Sequence, residues 1–129
     1  MAEDLRPSNI QLHTRSRTLE LDYPDGSRYQ LPCEYLRVYS PSAEVQGHGP
    51  GQEVLQSGKQ RVSITAIRPV GHYALQFVFD DGHDTGLYSW DYLHRLCLEQ
   101  DSRWADYLER LAAAGLARDP DVQVVKFQP

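Results

Sequence analysis

The run Asp80-Asp81-Gly82-His83-Asp84-Thr85-Gly86-Leu87-Tyr88-Ser89-Trp90-Asp91-Tyr92-Leu93 joins a strand to a helix through a polar turn. Upstream of it Tyr73, Leu75, Phe77 and Phe79 alternate with Ala74, Gln76 and Val78, a period of two that predicts a strand with one buried face. Asp80-Asp81-Gly82 stops that strand, because aspartate bonds its own backbone and glycine accepts positive φ. Ser89 then precedes a stripe of Trp90, Leu93 and Cys97, so it is placed to cap a helix over 89–99. A rigid strand end and a helix start thus meet around His83, where a scaffold presents polar groups.

Working outward, Val62, Ile64 and Ala66 alternate with Ser63 and Thr65, and Pro69-Val70-Gly71 turns this strand into the next. Residues 61–79 therefore read as a hairpin. Another lies upstream, where Leu19, Leu21 and Tyr23 run into Pro24-Asp25-Gly26 and Tyr29 and Leu31 return. Ile10 and Leu12 suggest a short strand before it. Between the hairpins, Pro32–Val38 and Ser40–Glu44 read as proline-led turns, and residues 47–52 as irregular chain. Downstream, Asp101 or Ser102 is placed to cap a helix carrying Trp104, Leu108 and Leu111, which Gly115 ends. Val122, Val124 and Phe127 read as a weak last strand or an extended tail. The order predicts an α+β fold: an antiparallel sheet of two hairpins, an irregular middle segment, and two C-terminal helices packed on the sheet, with Trp90 and Trp104 in the shared core. We expect a flexible N-terminus over 1–9, one domain over 10–116 and a tail over 117–129.

The chain has 129 residues, 40% of them hydrophobic, enough for a core without disulfides. Its net charge of −5 argues against a nucleic-acid binder, and Arg15, Arg17 and Arg28 read as a solvated strand face. Cys33 and Cys97 are too few for a disulfide framework or a four-thiolate zinc site. The polar start carries no leader signal, and no apolar run approaches the ~20 residues of a membrane span. A cytoplasmic protein without membrane contact is the expectation.

Motifs narrow the chemistry further. Gly58-Lys59 is not a phosphate-binding loop, because Gln60 stands where the hydroxyl should be and Glu53 where the first glycine should be. No Gly-x-Ser-x-Gly elbow is present. Five histidines are candidate metal ligands, but none sits in a His-x-Asp, His-x-Glu or His-Glu-x-x-His pattern. His83 beside Asp80, Asp81 and Asp84 reads either as a divalent-ion ligand or as a turn histidine that bonds backbone groups.

Tyr35-Leu36-Arg37-Val38-Tyr39-Ser40-Pro41-Ser42-Ala43-Glu44-Val45-x-Gly47-His48, followed by Asp81-Gly82-His83 and Gly86-Leu87-Tyr88-Ser89-Trp90, resembles the N-terminal domain of γ-butyrobetaine hydroxylase, and more closely the small stand-alone proteins of unknown function grouped with it (the DUF971 type). The resemblance covers roughly residues 10–115. In the hydroxylases the first block resembles Leu-Arg-Asp-Asn-Cys-x-Cys-x-x-Cys, and three thiolates with one histidine bind a structural zinc. The cysteine positions correspond to Ser40, Ser42 and Val45, and the histidine to His83, so only the imidazole is kept. Cys33, seven residues before Ser40, does not restore the spacing. The resemblance implies an accessory module rather than an iron and 2-oxoglutarate dioxygenase, and by association a link to metal-cofactor assembly.

The reading is a small non-enzymatic binding or interaction module for an unknown protein or small molecule. Its expected binding face is Arg37, Tyr39, Ser40, His48, His83 and Tyr88, where the 40–52 segment meets the 80–88 turn. No cofactor is expected. The alternatives are iron or zinc held by His83 with Asp81 or His48, and a small enzyme acting on a polar metabolite.

Overall fold

The computed structural model describes residues 5–47, 49 and 51–122. Six strands and four helices follow one another as β1 (Asn9–His13), β2 (Thr18–Asp22), β3 (Arg28–Pro32), α1 (Cys33–Val38), α2 (Ala43–Gln46), β4 (Ile64–Val70), β5 (Ala74–Phe79), β6 (Leu87–Ser89), α3 (Trp90–Leu98) and α4 (Gln100–Ala114). The fold is α+β, with two C-terminal helices after the strands.

The strands form two antiparallel three-stranded sheets, β1-β2-β3 and β4-β5-β6, where one sheet was expected. The long excursion through α1 and α2 separates β3 from β4, so the two hairpins never become neighbours. Each hairpin instead recruits a further strand from its own flank. In the first sheet Leu21 faces Ile10 and Tyr29, and Leu19 faces Leu12 and Leu31. In the second, Leu75 faces Tyr88 of β6, a three-residue strand too short to show a period in sequence.

The two sheets share one core. Leu19, Leu21 and Leu31 meet Phe77 and Phe79, with Tyr35 and Leu36 of α1 and Leu93 and Leu96 of α3 between them. Helix α3 packs on both β3 and β6 and so ties the sheets together. Burying each large apolar side chain contributes roughly 1.5–3 kcal/mol, so this cluster dominates stability. Ser89 caps α3 as expected, its Oγ accepting from the Tyr92 N–H at 3.1 Å.

Several expected positions shift. A bulge between Ile64 and Ala66 breaks the alternation in β4, which then runs through Pro69. Proline is tolerated there because β4 is an edge strand. Tyr73 lies in the turn after Gly71 and is 59% exposed, so it belongs to no core stripe. Trp90 and Trp104 are only partly buried against the core that Tyr35, Phe77, Phe79 and Tyr88 fill. Helix α4 starts at Gln100, one residue after α3, and the Ser102 hydroxyl donates to the Glu99 carbonyl in its first turn instead of capping it. Its buried residues are Tyr107 and Leu111, which pack on Val38, while Leu108 is 40% exposed. Gly115 ends α4 in the left-handed conformation, as its position suggested. Val122 lies outside any strand, and Val124 and Phe127 lie outside the described residues.

Beyond α4 the chain returns to α1. Arg118 grips the buried Glu34 carboxylate with two bonds, Nε–Oε2 at 2.9 Å and Nη2–Oε1 at 2.7 Å, and its guanidinium stacks 5.0 Å from the Trp104 ring centre. Truncating one member of such a pair leaves the other desolvated and unpaired. We expect Arg118→Ala to destabilise the fold by ~1–3 kcal/mol in urea unfolding. A change within error would show that Glu34 finds another partner.

Candidate functional site

The 40–47 segment is pinned to the 80–88 turn by a buried polar seam. Ser40 Oγ lies 2.8 Å from His83 Nε2, and His83 Nδ1 lies 3.1 Å from Glu44 Oε2. Beside it Asp81 Oδ2 accepts from Arg37 Nε at 2.9 Å and from Lys59 Nζ at 2.7 Å, while Asp81 Oδ1 accepts from the His83 amide at 3.1 Å. The turn thus holds α1, the approach to β4 and the middle segment at once. The Tyr88 hydroxyl donates to the Leu36 carbonyl beneath.

Gly86 makes the approach possible. A Cβ at residue 86 would lie 2.3 Å from Ser40 Oγ and 3.2 Å from Pro41 Cδ. A side chain there and the Ser40–His83 bond exclude each other.

The proton positions follow from the partners. An ionised carboxylate only accepts, so the Glu44 contact places the imidazole hydrogen on Nδ1. Nε2 is then an acceptor, and Ser40 donates to it. Ser40 Oγ also accepts from the Ser42 N–H at 3.3 Å. Burial and then the nearby Arg37 charge push the His83 pKa below its usual value, against the pull of Glu44. For Asp81 burial works upward, but the bonds from Lys59, the His83 amide and Arg37 outweigh it and hold the carboxyl down to about 2.

Serine, histidine and glutamate here have the connectivity of a nucleophile, its base and an orienting carboxylate. Access separates the two cases. Ser40 is 0% exposed and His83 is 6% exposed, so the hydroxyl faces packed protein. In this arrangement the relay is a structural brace.

A thiolate zinc site does not fit these residues. Ser40 Oγ is bonded to the imidazole, Ser42 Oγ is buried without a hydrogen-bond partner, and Val45 offers no donor. Among the described residues no group of three or more histidine, cysteine, aspartate or glutamate side chains is placed to hold a metal ion.

The same segment borders a cleft of about 680 Å³ between residues 38–47 and 53–56 and helices α3 and α4. Tyrosine hydroxyls stitch its walls. Tyr39 donates to the Arg103 carbonyl at 2.6 Å, Tyr92 to the Tyr39 carbonyl, and Tyr107 to the Gln56 carbonyl at 2.7 Å. Arg95, Arg103 and Arg110 line it together with Val38, Val54 and Leu55.

Of the expected face, Arg37, Ser40 and His83 come together in the seam, with Tyr88 packed below, all four buried. Tyr39 points the other way and lines the cleft. His48 lies outside the described residues. The cleft arginines went unread in sequence because each sits four residues after an acid, the spacing of a solvated helix face.

Two outcomes are expected of the seam. Gly86→Ala lowers stability by ~1–3 kcal/mol, and adding Ser40→Ala, which removes the clashing oxygen, recovers part of that loss in chemical unfolding. A double variant no better than the sum of its parts would separate residue 86 from Ser40. The pH dependence has a fixed sign. Because the His83 pKa is lower folded than unfolded, its contribution is complete above the unfolded value of ~6.5 and is lost as pH falls through the folded value; Asp81 adds a second loss between the ordinary carboxylate value of ~3.8 and about 2. Thermal midpoints of the wild type therefore fall below pH 6.5, and His83→Gln flattens that first decline. An unchanged slope in the variant would place the titrating group elsewhere.

Comparison with known proteins agrees with this architecture. An NMR solution structure of a protein 56% identical covers 96% of this chain and 98% of its own, with a TM-score of 0.80. A second NMR structure, 47% identical, covers 99% and 96% with a TM-score of 0.78. The crystal structure of a DUF971-family protein of unknown function from Acidithiobacillus ferrooxidans is 40% identical, covers 73% of this chain and 97% of its own, and has a TM-score of 0.61. A comparison with the curated proteins finds no match. Residues 10–94 match the family described as gamma-butyrobetaine hydroxylase-like, N-terminal, and the chain belongs to that family.

Proposed function

We propose that this chain is a cytoplasmic, non-enzymatic binding module that takes a small molecule or a short stretch of a protein partner in the cleft between residues 38–47 and 53–56 and helices α3 and α4. The observation that carries this reading is the cleft itself. It has the volume of a metabolite site and a lining that mixes apolar and polar residues. Arg37, His83 and Tyr88 serve it from behind by fixing the segment that forms one wall, and Tyr39 and Ser40 contribute to the lining. The module works without a bound metal, because hydrogen bonds fill the positions that thiolates hold in the zinc-binding relatives. Two free, buried thiols suit a reducing compartment. A net charge of −5 disfavours nucleic acid as the partner, and no described helix is long and apolar enough to cross a membrane.

Three measurements test the proposal. The small-molecule fraction of a cell extract, added to the 15N-labelled full chain, is expected to shift the amides of Val38, Tyr39, Val54 and Leu55. Shifts confined to the sheet surfaces, or none, would overturn it. A strong chelator is expected to leave the melting temperature unchanged, and a large drop would restore a metal to the seam. A fluorophosphonate probe is expected to leave Ser40 unlabelled, since a labelled serine would make the relay accessible and the module an enzyme.

A further inference from the structure

The cleft gathers guanidinium groups. The chain carries five more acids than bases, yet among the described residues three guanidinium groups and one carboxylate, that of Glu53, line this cavity. Two of them lie over aromatic rings. Arg103 lies 5.2 Å from the Tyr39 ring centre and 5.8 Å from that of Tyr92, and Arg95 lies 5.5 Å from Tyr92. Stacking engages the face of a guanidinium and leaves its N–H edge to meet an acceptor. The existing acceptors are acids one helical turn earlier: Asp91 for Arg95 at 3.5 Å, Glu99 for Arg103 at 2.8 Å and Asp106 for Arg110 at 2.9 Å. The Asp91–Arg95 and Asp106–Arg110 pairs are exposed and weak, so an anion that accepts two parallel N–H bonds competes with them. Arg95 and Arg110 are half-exposed and the more open to exchange. The same lining holds Val54, a half-exposed apolar residue, with Leu55 and Val38.

We propose that the cleft binds a small organic anion, with a carboxylate or phosphate head on Arg95, Arg103 and Arg110 and an apolar body against Val38, Val54 and Leu55. This rests on the reading of the cleft as the binding site and adds the class of ligand. A planar fork suits either oxyanion, and the head group is left for the probes to decide.

The test titrates the 15N-labelled full chain separately with phenyl phosphate, benzoate and the neutral analogue benzyl alcohol. Either anion is expected to give saturable shifts at Val54, Leu55 and the Nε–H signals of Arg95 and Arg110, at least about tenfold tighter than benzyl alcohol and weakening as salt rises. The tighter of the two identifies the head group. Arg95→Gln with Arg110→Gln is expected to weaken binding about tenfold without moving the melting temperature, and the corresponding double lysine variant to retain part of it. Equal binding of the neutral analogue, or no effect of the glutamine substitutions, would overturn the proposal. So would anions that fail up to ~10 mM while the extract fraction still shifts the cleft amides, and that result would leave the binding module standing. Failure of both would remove the site altogether.

Discussion

The hydroxyl of Ser40 occupies the space that a side chain at residue 86 would need. That exclusion sets how closely the middle segment approaches the turn between β5 and β6, and the rest of the seam follows from the distance. Only at this approach does the Ser40 hydroxyl reach His83 Nε2, and only with the imidazole so oriented does Nδ1 face Glu44. Asp81, two residues before His83, then collects Arg37 and Lys59 on one oxygen. One missing methyl group thus underlies contacts from α1, the middle segment and the strand that leads into the turn.

A brace of this kind differs energetically from the thiolate zinc site that the sequence resemblance implied. A structural zinc contributes about 10–16 kcal/mol, whereas a neutral hydrogen bond nets about 1 kcal/mol and a charge-assisted one about 1.5–3. Hydrogen bonds therefore locate the segment without holding it against unfolding. The holding falls to the apolar core shared by the two sheets, with α3 across both, and to Arg118, which ties the segment after α4 to α1. It also makes the segment responsive to protons, since the imidazole must stay neutral for Ser40 to donate to it. A zinc-bound imidazole would be spared that titration.

How much of this was legible depended on whether the cause was local. Both hairpins, the Ser89 cap and the Gly115 stop follow from neighbouring residues, and sequence gives neighbours directly. The split into two sheets does not, because it depends on which strands the α1–α2 excursion keeps apart. Strand β6 is too short for its period to register. The bulge after Ile64 put one extra residue into a pattern that otherwise alternates, and so Ala66 was read onto the wrong face. Trp104 and Leu108 formed a plausible stripe with Leu111, yet α4 meets α1 at its end and turns Tyr107 inward. The candidate site shows the same division. The pairing of the serine block with the Asp-Gly-His turn was visible through the family pattern, whereas the tyrosine hydroxyls that stitch the cleft bond to distant carbonyls, which no side-chain pattern announces.

The cleft and the seam share one segment, and Ser40 belongs to both, which is why the buried seam matters to the site. Irregular chain has no hydrogen-bond ladder of its own to fix its side chains. Ser40 and Val45 are buried and line the cleft beside Tyr39 and Gln46, while Ser42 is buried and is not part of the lining. The position of Tyr39 is set on one side by the Ser40–His83 bond next to it in the chain, and on the other by its own bond to the Arg103 carbonyl. Arg103 in turn rests on the Tyr39 and Tyr92 rings. An ordered path of contacts therefore runs from Gly86 through Ser40 and Tyr39 to the guanidinium wall. Precision at that wall is inherited from the seam, and a binding surface carried by a loop gains here the rigidity of the sheets behind it.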